Sequence, residues 1–391
     1  MSMQRAAQSI GVFFPLCGLI FGLWTCRNPE ESVPPIRPQT IVMLVTPKIF
    51  PDFDHPQGAA AQFIEHYRPL TSKAAKVIVI LAISGGDHIL RYRGRDYWSD
   101  SVDWARTTDG VAVSTQRMDF SQIAKLRDAV ADAGRLEGIN LQVYDLMDSG
   151  GEFNSAGGFK YGTHVECTIN NWGMFDVRAR LQADQRVYAS RPNGIPEGIL
   201  CGEFLVDQIN AYLTDFGFDG ILFGNQLGTR GRWTNGDGPG YSDSEAAGIK
   251  RFLSYARSTL QGKGIMWSDS YNTVQVEHDT WSFPVDGYAA FDYVVASGFC
   301  VIPPTETDQY ARDLESKLAL RQSKILASLD YVDPWYSYSS LIKYAGCSSQ
   351  LEETAAKHRD KIEGIWFLAN DAQGAFVPEQ AISRFASRYF H

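Results

Sequence analysis

The chain has 391 residues, long enough to bury a substantial core as one large domain or as two. Its composition, 44% hydrophobic and 21% charged, is that of an ordinary globular protein. The net charge of −9 and the lack of any basic run argue against a nucleic-acid partner, because binding to phosphates requires clustered cationic side chains.

The first 26 residues differ from the rest of the chain. An uncharged stretch from Ile10 to Trp24 follows Arg5, as in a signal peptide, and is shorter than the roughly 20 residues of a membrane span. Leu23-Trp-Thr-Cys26 resembles the cleavage box of bacterial lipoproteins, with Trp24 and Thr25 departing from the usual pattern. We expect a secretory or lipoprotein signal over residues 1–26, a Pro-rich linker over 27–40 and one catalytic domain over 41–391.

This leader predicts an exported protein, whether periplasmic, anchored at the outer membrane or extracellular. The only membrane contact expected is a lipid on the N-terminus, and an uncleaved anchor is the alternative. In an exported protein the four cysteines outside the leader have three alternative pairings, and buried free thiols are an equal alternative. These cysteines are Cys167, Cys201, Cys300 and Cys347.

Eight short apolar runs recur along the remaining chain, separated by segments of helical length. Near-continuous apolar runs are typical of parallel strands buried on both faces, and eight of them predict a closed (β/α)8 TIM barrel. The runs are Ile41–Val45, Val77–Leu81, Ile139–Tyr144, Gly220–Phe223, Gly264–Trp267, Tyr293–Ala296, Ile325–Leu329 and Gly364–Leu368.

Amphipathic segments lie between these runs and predict the outer helices of the barrel. In the first, Ile123, Leu126, Val130 and Ala133 share one face. The predicted helices are Phe120–Ala133, Cys201–Phe216, Ser242–Leu260, Thr307–Leu320, Ser349–Arg359 and Pro378–Tyr389. About 57 residues separate the second run from the third and about 75 the third from the fourth, against the roughly 30 of a minimal unit. Long loops after strands 2, 3 and 4 are therefore expected on the catalytic face.

Carboxylates follow several of the predicted strands. In a barrel the carboxyl ends of the strands surround the active site. Hydrolysis of a glycosidic bond needs two carboxyl groups, one to protonate the leaving oxygen and one to attack or to activate water. The candidates are Asp269, which has the best context, then Asp330, Asp145, Glu166 and Asp333. The structural alternative for Asp269 is a helix cap, and for Asp371 it is a cap on the turn before Gly374.

Around the fourth run, Gly217-Phe-Asp-Gly-Ile221 resembles the strand entry of many barrel glycoside hydrolases, including the chitinase-like family. In that family the run D-G-x-D-x-D-x-E follows, and its last Glu is the catalytic acid. Here Leu222, Gly224 and Gln226 occupy the acidic positions, so that mechanism does not carry over. Asp219 is expected to have a structural role at the start of the strand. The resemblance implies the glycoside hydrolase superfamily and no particular family.

Aromatic and amide side chains near the strand ends favour a sugar ligand, because indole faces stack on sugar rings while polar groups meet the hydroxyls. The predicted substrate-binding residues are Trp98, Trp172, Arg191, Asn225, Gln226, Trp233, Trp335 and Asp371. Trp104 and Trp267 have similar positions, and Trp366, inside a run, is expected in the core. The Gly-rich segment from Gly228 to Gly240 lacks a P-loop lysine and is interpreted as a surface loop.

Metal-dependent hydrolysis is disfavoured, because the seven histidines form no His-x-His pair and none directly follows a predicted strand. No metal and no cofactor is therefore expected. The sequence predicts a glycoside hydrolase that cleaves O-glycosidic bonds of a poly- or oligosaccharide. A carbohydrate-binding barrel without hydrolytic activity is the alternative, since the acidic run of the fourth strand is missing.

Overall fold

The computed structural model describes the greater part of the predicted barrel domain. The described residues are 39–82, 89–92, 95–98, 120–147, 186–187, 199–223, 243–269, 285–296, 323–329, 345–371 and 374–390, with a few positions between 311 and 319. The expected signal segment, nearly all of the linker, and two of the cysteines of the main domain, Cys167 and Cys300, lie outside these residues.

Eight parallel strands form a closed barrel, which confirms the fold class predicted from the apolar runs. Around the barrel each strand pairs with the next along the chain, and the last pairs with the first. The barrel strands are β1 (Thr40–Val45), β2 (Lys76–Leu81), β5 (Leu141–Met147), β8 (Gly220–Phe223), β9 (Gly264–Asp269), β10 (Tyr293–Ala296), β11 (Lys324–Ser328) and β12 (Gly364–Leu368).

Two short antiparallel pairs lie in the long connections after β2 and β5. The first pair is β3 (Ile89–Tyr92) with β4 (Arg95–Trp98), and the second is β6 (Arg186–Val187) with β7 (Ile199–Leu200). Both follow the carboxyl end of a barrel strand, where the sequence predicts long functional loops.

From Phe120 onwards, the helices of the described residues follow predicted amphipathic segments, with bounds that differ by a few residues, whereas the two helices before Phe120 were not predicted. The helices are α1 (Gln57–His66), α2 (Arg68–Thr71), α3 (Phe120–Leu136), α4 (Cys201–Asp215), α5 (Asp243–Thr259), α6 (Ala345–Lys357) and α7 (Glu379–Tyr389). In the part of the chain that is described, no helix is long and apolar enough to cross a membrane.

Helix α1 was not among the predicted helices, although a pattern for it exists. Its buried side chains, Ala60, Phe63 and Ile64, are followed by buried Tyr67 at the spacing of one helical face. The predicted face of α3 is confirmed, since its four apolar residues are at most 7% exposed. Gly217 ends the turn after α4 with a φ of 72°, a conformation that glycine adopts without a steric penalty.

The apolar side chains form two layers, one between the strands and the helices and one inside the barrel. Tyr144 belongs to the inner layer and crosses the N-terminal end of the barrel, where it is 2% exposed. A Cβ atom at Gly264 would lie 1.8 Å from the Tyr144 hydroxyl oxygen, and one at Gly220 would lie 2.7 Å from its ring. The two glycines that open β8 and β9 therefore leave the space that the tyrosine ring fills.

Candidate active site at the carboxyl ends of the strands

Most of the predicted site residues lie outside the described residues. These are the carboxylates Asp330, Glu166 and Asp333 and the predicted sugar contacts Trp172, Arg191, Asn225, Gln226, Trp233 and Trp335. Their assignments stay predictions. What the structure describes is the frame that carries them: the carboxyl ends of the eight strands, and the strand β11 that ends just before Asp330.

Asp269 is the last residue of β9, so the strand extends two residues beyond the predicted apolar run. Its backbone pairs with Ala296 at the end of β10, and Ala296 in turn pairs with Ala327 near the end of β11. Trp98 likewise ends β4 of the first hairpin, opposite Ile89. For both residues the structure describes the backbone position.

Asp145 lies inside β5, and its carboxylate is on the helix side of the barrel wall. Its neighbours Tyr144 and Leu146 belong to the layer inside the barrel, whereas Val143 belongs to the layer under the helices. Asp145 is 1% exposed, and its Oδ1 accepts a hydrogen bond of 2.8 Å from the backbone N–H of Leu146. The structure thus separates Asp145 from the interior side chains of the barrel.

Tyr212 of α4 lies beside Asp145, which supports the position of the Asp145 carboxylate on the helix side. Burial raises the pKa of the Tyr212 hydroxyl well above its ordinary value, and the negative charge of Asp145 beside it raises it further. A carboxylate held between a strand and its covering helix is placed to stabilise the barrel wall.

Asp371 follows β12 and closes a turn, as the structural alternative for it anticipated. Its Oδ1 accepts a hydrogen bond of 2.9 Å from the backbone N–H of Ala375, and its carbonyl oxygen accepts one of 3.0 Å from Gly374. Gly374 has a φ of 88°, and a Cβ there would lie 2.6 Å from the carbonyl oxygen of Lys48. The predicted sugar contact of Asp371 remains untested, and its carboxylate is 99% buried within this turn.

Asn370 and Thr46 form a polar clasp at the carboxyl ends of the last and first strands. The Thr46 N–H donates to Oδ1 of Asn370 at 2.9 Å, and Nδ2 of Asn370 donates to the Thr46 hydroxyl at 2.6 Å. Asn370 is fully buried, whereas Thr46 is half-buried. Both residues stand just after a predicted apolar run, and no role was predicted for either. Because the clasp uses the Thr46 hydroxyl oxygen as acceptor, its hydrogen is left to be donated at the rim.

Asp219 has the structural role expected from its place before the fourth barrel strand. Its Oδ2 accepts a hydrogen bond of 2.9 Å from the N–H of Val143, and its own N–H donates to the Val143 carbonyl at 2.8 Å. The side chain therefore fastens β5 to the start of β8. The Asp-Gly pair that resembles chitinase-like enzymes is accounted for here by strand pairing and by the space needed for Tyr144.

Two tryptophans of the strands lie in different layers. Trp267 is fully buried under the helical layer, with ring centroids 5.4 Å from Tyr288 and 5.3 Å from Phe291, so it packs the core and forms no sugar platform. Trp366 belongs to the layer inside the barrel and is 7% exposed, as expected of a core residue. Among the described residues, its indole N–H has no hydrogen-bond partner.

No group of three or more His, Cys, Asp and Glu side chains within the described ranges could hold a metal ion. The frame as a whole is that of a (β/α)8 barrel with long connections after its second and third strands. In this class the carboxyl ends of the strands carry the reactive groups.

Comparison with known proteins gives structural neighbours alone: no family model matches the chain, and neither does any curated protein. The neighbours include a chitinase from Bacteroides thetaiotaomicron, with 9% identity, 91% of this chain and 98% of that chain covered and a TM-score of 0.48. A family 18 chitinase from Cycas revoluta in complex with (GlcNAc)4 has 10% identity, coverages of 90% and 99% and a TM-score of 0.49.

A glycoside hydrolase domain from Bordetella bronchiseptica has 13% identity, coverages of 86% and 95% and a TM-score of 0.44. Likenesses of this strength assign neither a substrate nor a catalytic residue to this chain. The barrel itself is established by the pairing of its own strands.

Proposed function

We propose that this protein is a glycoside hydrolase that cleaves O-glycosidic bonds of a poly- or oligosaccharide with a pair of carboxylates at the carboxyl ends of the barrel strands. The observation that carries the proposal is the register of three adjacent strands. Asp269 pairs with Ala296, and Ala296 pairs with Ala327, three residues before Asp330.

Two sequence-predicted acids belong to these strands, since Asp269 ends β9 and Asp330 follows the end of β11. Neighbouring strands lie about 4.8 Å apart, so the backbone of Asp269 is roughly 10 Å from that of Ala327 across the intervening strand. This backbone separation is of the same order as the distance of about 5 to 10 Å that glycosidases use between their two carboxyl groups.

The alternation of side chains adds a reason to favour Asp330 over Asp145. Leu326 of β11 belongs to the layer inside the barrel, and residues two apart on a strand share a side. We therefore expect Ser328 and Asp330 to follow Leu326 towards the axis, whereas Asp145 lies with Val143 under the helices. By the same alternation we expect Asp269 to share the side of Trp267, which lies under the helices, and we therefore rank Asp330 before Asp269. Glu166 and Asp333 remain candidates for the second carboxylate.

In the proposed reaction the two acids have different roles. One carboxyl group keeps its proton and transfers it to the leaving oxygen, while the other, ionised, attacks the anomeric carbon or activates a water molecule. The Thr46 hydroxyl at the first strand, fixed by Asn370, is positioned to bind a sugar hydroxyl at the same rim.

The test is release of reducing ends from a panel of polysaccharides, measured for the wild type and for Asp269→Asn, Asp330→Asn, Glu166→Gln and Asp333→Asn. We expect two of the four substitutions to reduce kcat by at least about 100-fold, the usual contribution of a positioned acid or base. Asp132→Asn is the matched control, because Asp132 is a 62% exposed carboxylate on α3, in the helical layer. Full activity in all four variants would refute the proposed carboxylate mechanism.

The second candidate function is a carbohydrate-binding barrel without hydrolysis, favoured by the loss of the acidic run at Leu222, Gly224 and Gln226. Equilibrium binding to the same panel separates the two. A polysaccharide that binds the wild type and is never cleaved would establish the binding protein, whereas cleavage lost in an Asp variant that still binds would establish the enzyme.

A further inference from the structure

The N-terminal end of the barrel, opposite the predicted active site, contains a polar cavity of about 510 Å³. The first residues of four barrel strands line it: Lys76, Gly264, Tyr293 and Lys324. Gln142, Tyr144 and the loop from Leu260 to Lys263 complete the wall. In most barrels this end serves stability, so an open polar cavity here calls for its own account.

Two lysines flank one tyrosine at the centre of this cavity. The ammonium nitrogens of Lys76 and Lys324 lie 5.3 Å and 5.6 Å from the centroid of the Tyr293 ring. Lys76 also donates to the Tyr293 hydroxyl at 3.4 Å. Both positive charges therefore lie within about 6 Å of the centre of the same ring, and each is stabilised by its π-electrons.

Both carboxylates that line the cavity already accept hydrogen bonds from protein groups. Asp219 accepts from the Val143 N–H, as described above, and Asp292 accepts two hydrogen bonds of 2.8 and 2.9 Å from Arg257. Burial acts to raise the pKa of Asp292, but the hydrogen bonds from Arg257 and from a backbone N–H outweigh it and hold that pKa below its usual value. Both acids are thus tied into strand pairing.

The cationic side chains of the cavity outnumber its carboxylates. Lys263 donates to the carbonyl oxygen of Phe218 at 2.5 Å and Arg257 is neutralised by Asp292. Lys324 is 57% exposed and forms an ion pair with Glu363 at 3.4 Å. Four cationic and two acidic side chains line the cavity, and with Glu363 beside Lys324 a positive excess of one remains in a chain whose net charge is −9.

We propose that this cavity is a binding site for a small oxyanion, a phosphate or a carboxylate group, with Lys76 and Lys324 as its charged ligands. The Tyr293 hydroxyl supplies a neutral donor between them. Tyr144 donates to Oε1 of Gln142 at 3.3 Å, which leaves the amide NH₂ of Gln142 as a further donor. Charge-assisted hydrogen bonds from two ammonium groups are the usual means of holding such an anion. The site is independent of the carbohydrate chemistry at the other end.

The test is calorimetric titration of the full chain with inorganic phosphate, and separately with acetate, at an ionic strength held constant with sodium chloride. We expect saturable binding of at least one of these anions, weakened roughly tenfold or more by Lys76→Met and by Lys324→Met, since each removes a charge-assisted hydrogen bond. The stronger of the two anions identifies the ligand as a phosphate or a carboxylate.

Lys361→Gln is the matched control, because Lys361 is an exposed lysine in the turn that leads into β12 and does not line the cavity. Its binding should equal that of the wild type. Far-ultraviolet circular dichroism checks each fold, and the exposed Lys324 keeps the test valid if Lys76→Met does not fold. The proposal is overturned if neither anion binds, or if Lys361→Gln weakens binding as much as the cavity variants do.

Discussion

The sharpest prediction from the fold concerns Gly264, the first residue of β9. In Gly264→Ala the new methyl carbon would lie 1.8 Å from the hydroxyl oxygen of Tyr144 and 2.4 Å from the ring carbon that carries it. Tyr144 cannot swing away freely, because it is 2% exposed and its ring already lies close to Gly220 on the other side. Either the ring or the strand must therefore move.

The cost follows from the packing of protein interiors. Overpacking a core by one or two carbons usually costs 1–3 kcal/mol, and a contact this short on a confined ring lies at the upper end, about 3 kcal/mol. For a chain of this size that corresponds to a fall of about 4 °C in Tm. Thermal and urea unfolding, followed by tryptophan fluorescence, measure both quantities.

Two further variants separate the clash from a general intolerance of substitution. Gly58→Ala is the matched control, because Gly58 is an exposed helical position with no heavy atom within 4 Å of the new methyl group, and it should be neutral or slightly stabilising. In the double variant Gly264→Ala with Tyr144→Ala, removal of the ring should make the alanine nearly free of cost. If Gly264→Ala unfolds like the wild type, or if loss of the ring brings no relief, the assigned packing is wrong.

Three other predictions concern the joints between strands. Asp292→Asn should lower the free energy of unfolding at pH 7 by about 2 kcal/mol, because it weakens the hydrogen bonds to Arg257. The pKa of Asp292 is lowered in the folded state, so this difference from the wild type should vanish as the pH falls through that pKa. Urea unfolding at several pH values measures it. Asn370→Ala should cost about 1–3 kcal/mol and speed hydrogen exchange of the Thr46 amide, whose acceptor it removes. Gly364→Ala should abolish soluble folding, judged by yield and circular dichroism, since its methyl carbon would lie 1.8 Å from a carbonyl oxygen of the first strand.

The barrel could be predicted from the sequence because parallel strands carry apolar residues on both faces and so give unbroken apolar runs. The same property hides which face a polar residue in such a strand will take. Val143 and Leu146 around Asp145 are both buried, one under the helices and the other inside the barrel, so no alternation marked the direction of Asp145. Its carboxylate was therefore predicted at the rim, and the predicted strand ended at Tyr144, three residues before the observed end at Met147.

The side-chain hydrogen bonds that connect strands at the two ends of the barrel could not be predicted from the sequence, for a different reason. The clasp between Thr46 and Asn370 joins residues 324 positions apart, and the clamp between Asp219 and Val143 joins residues 76 apart. Residues so far apart in the sequence form no local pattern from which their contact could be predicted. Asp219 could still be assigned a structural role, because Leu222 and Gly224 stand where the resembling motif of chitinase-like enzymes has acids.

The distribution of carboxylates between the two ends bears directly on the proposed chemistry. At the N-terminal end, Asp219 and Asp292 each accept a hydrogen bond from the backbone N–H of a neighbouring strand, so both side chains fasten strands to one another. Asp145 is held within the wall, and Asp371 within its turn. An acid that transfers a proton to substrate must be able to change its charge without releasing a strand or a turn. Among the acids ranked from the sequence, this requirement disfavours Asp145, whose carboxylate is held within the wall. It leaves Asp330 and Asp333 beyond the end of β11, together with Glu166 and Asp269, as the candidates that the four substitutions test.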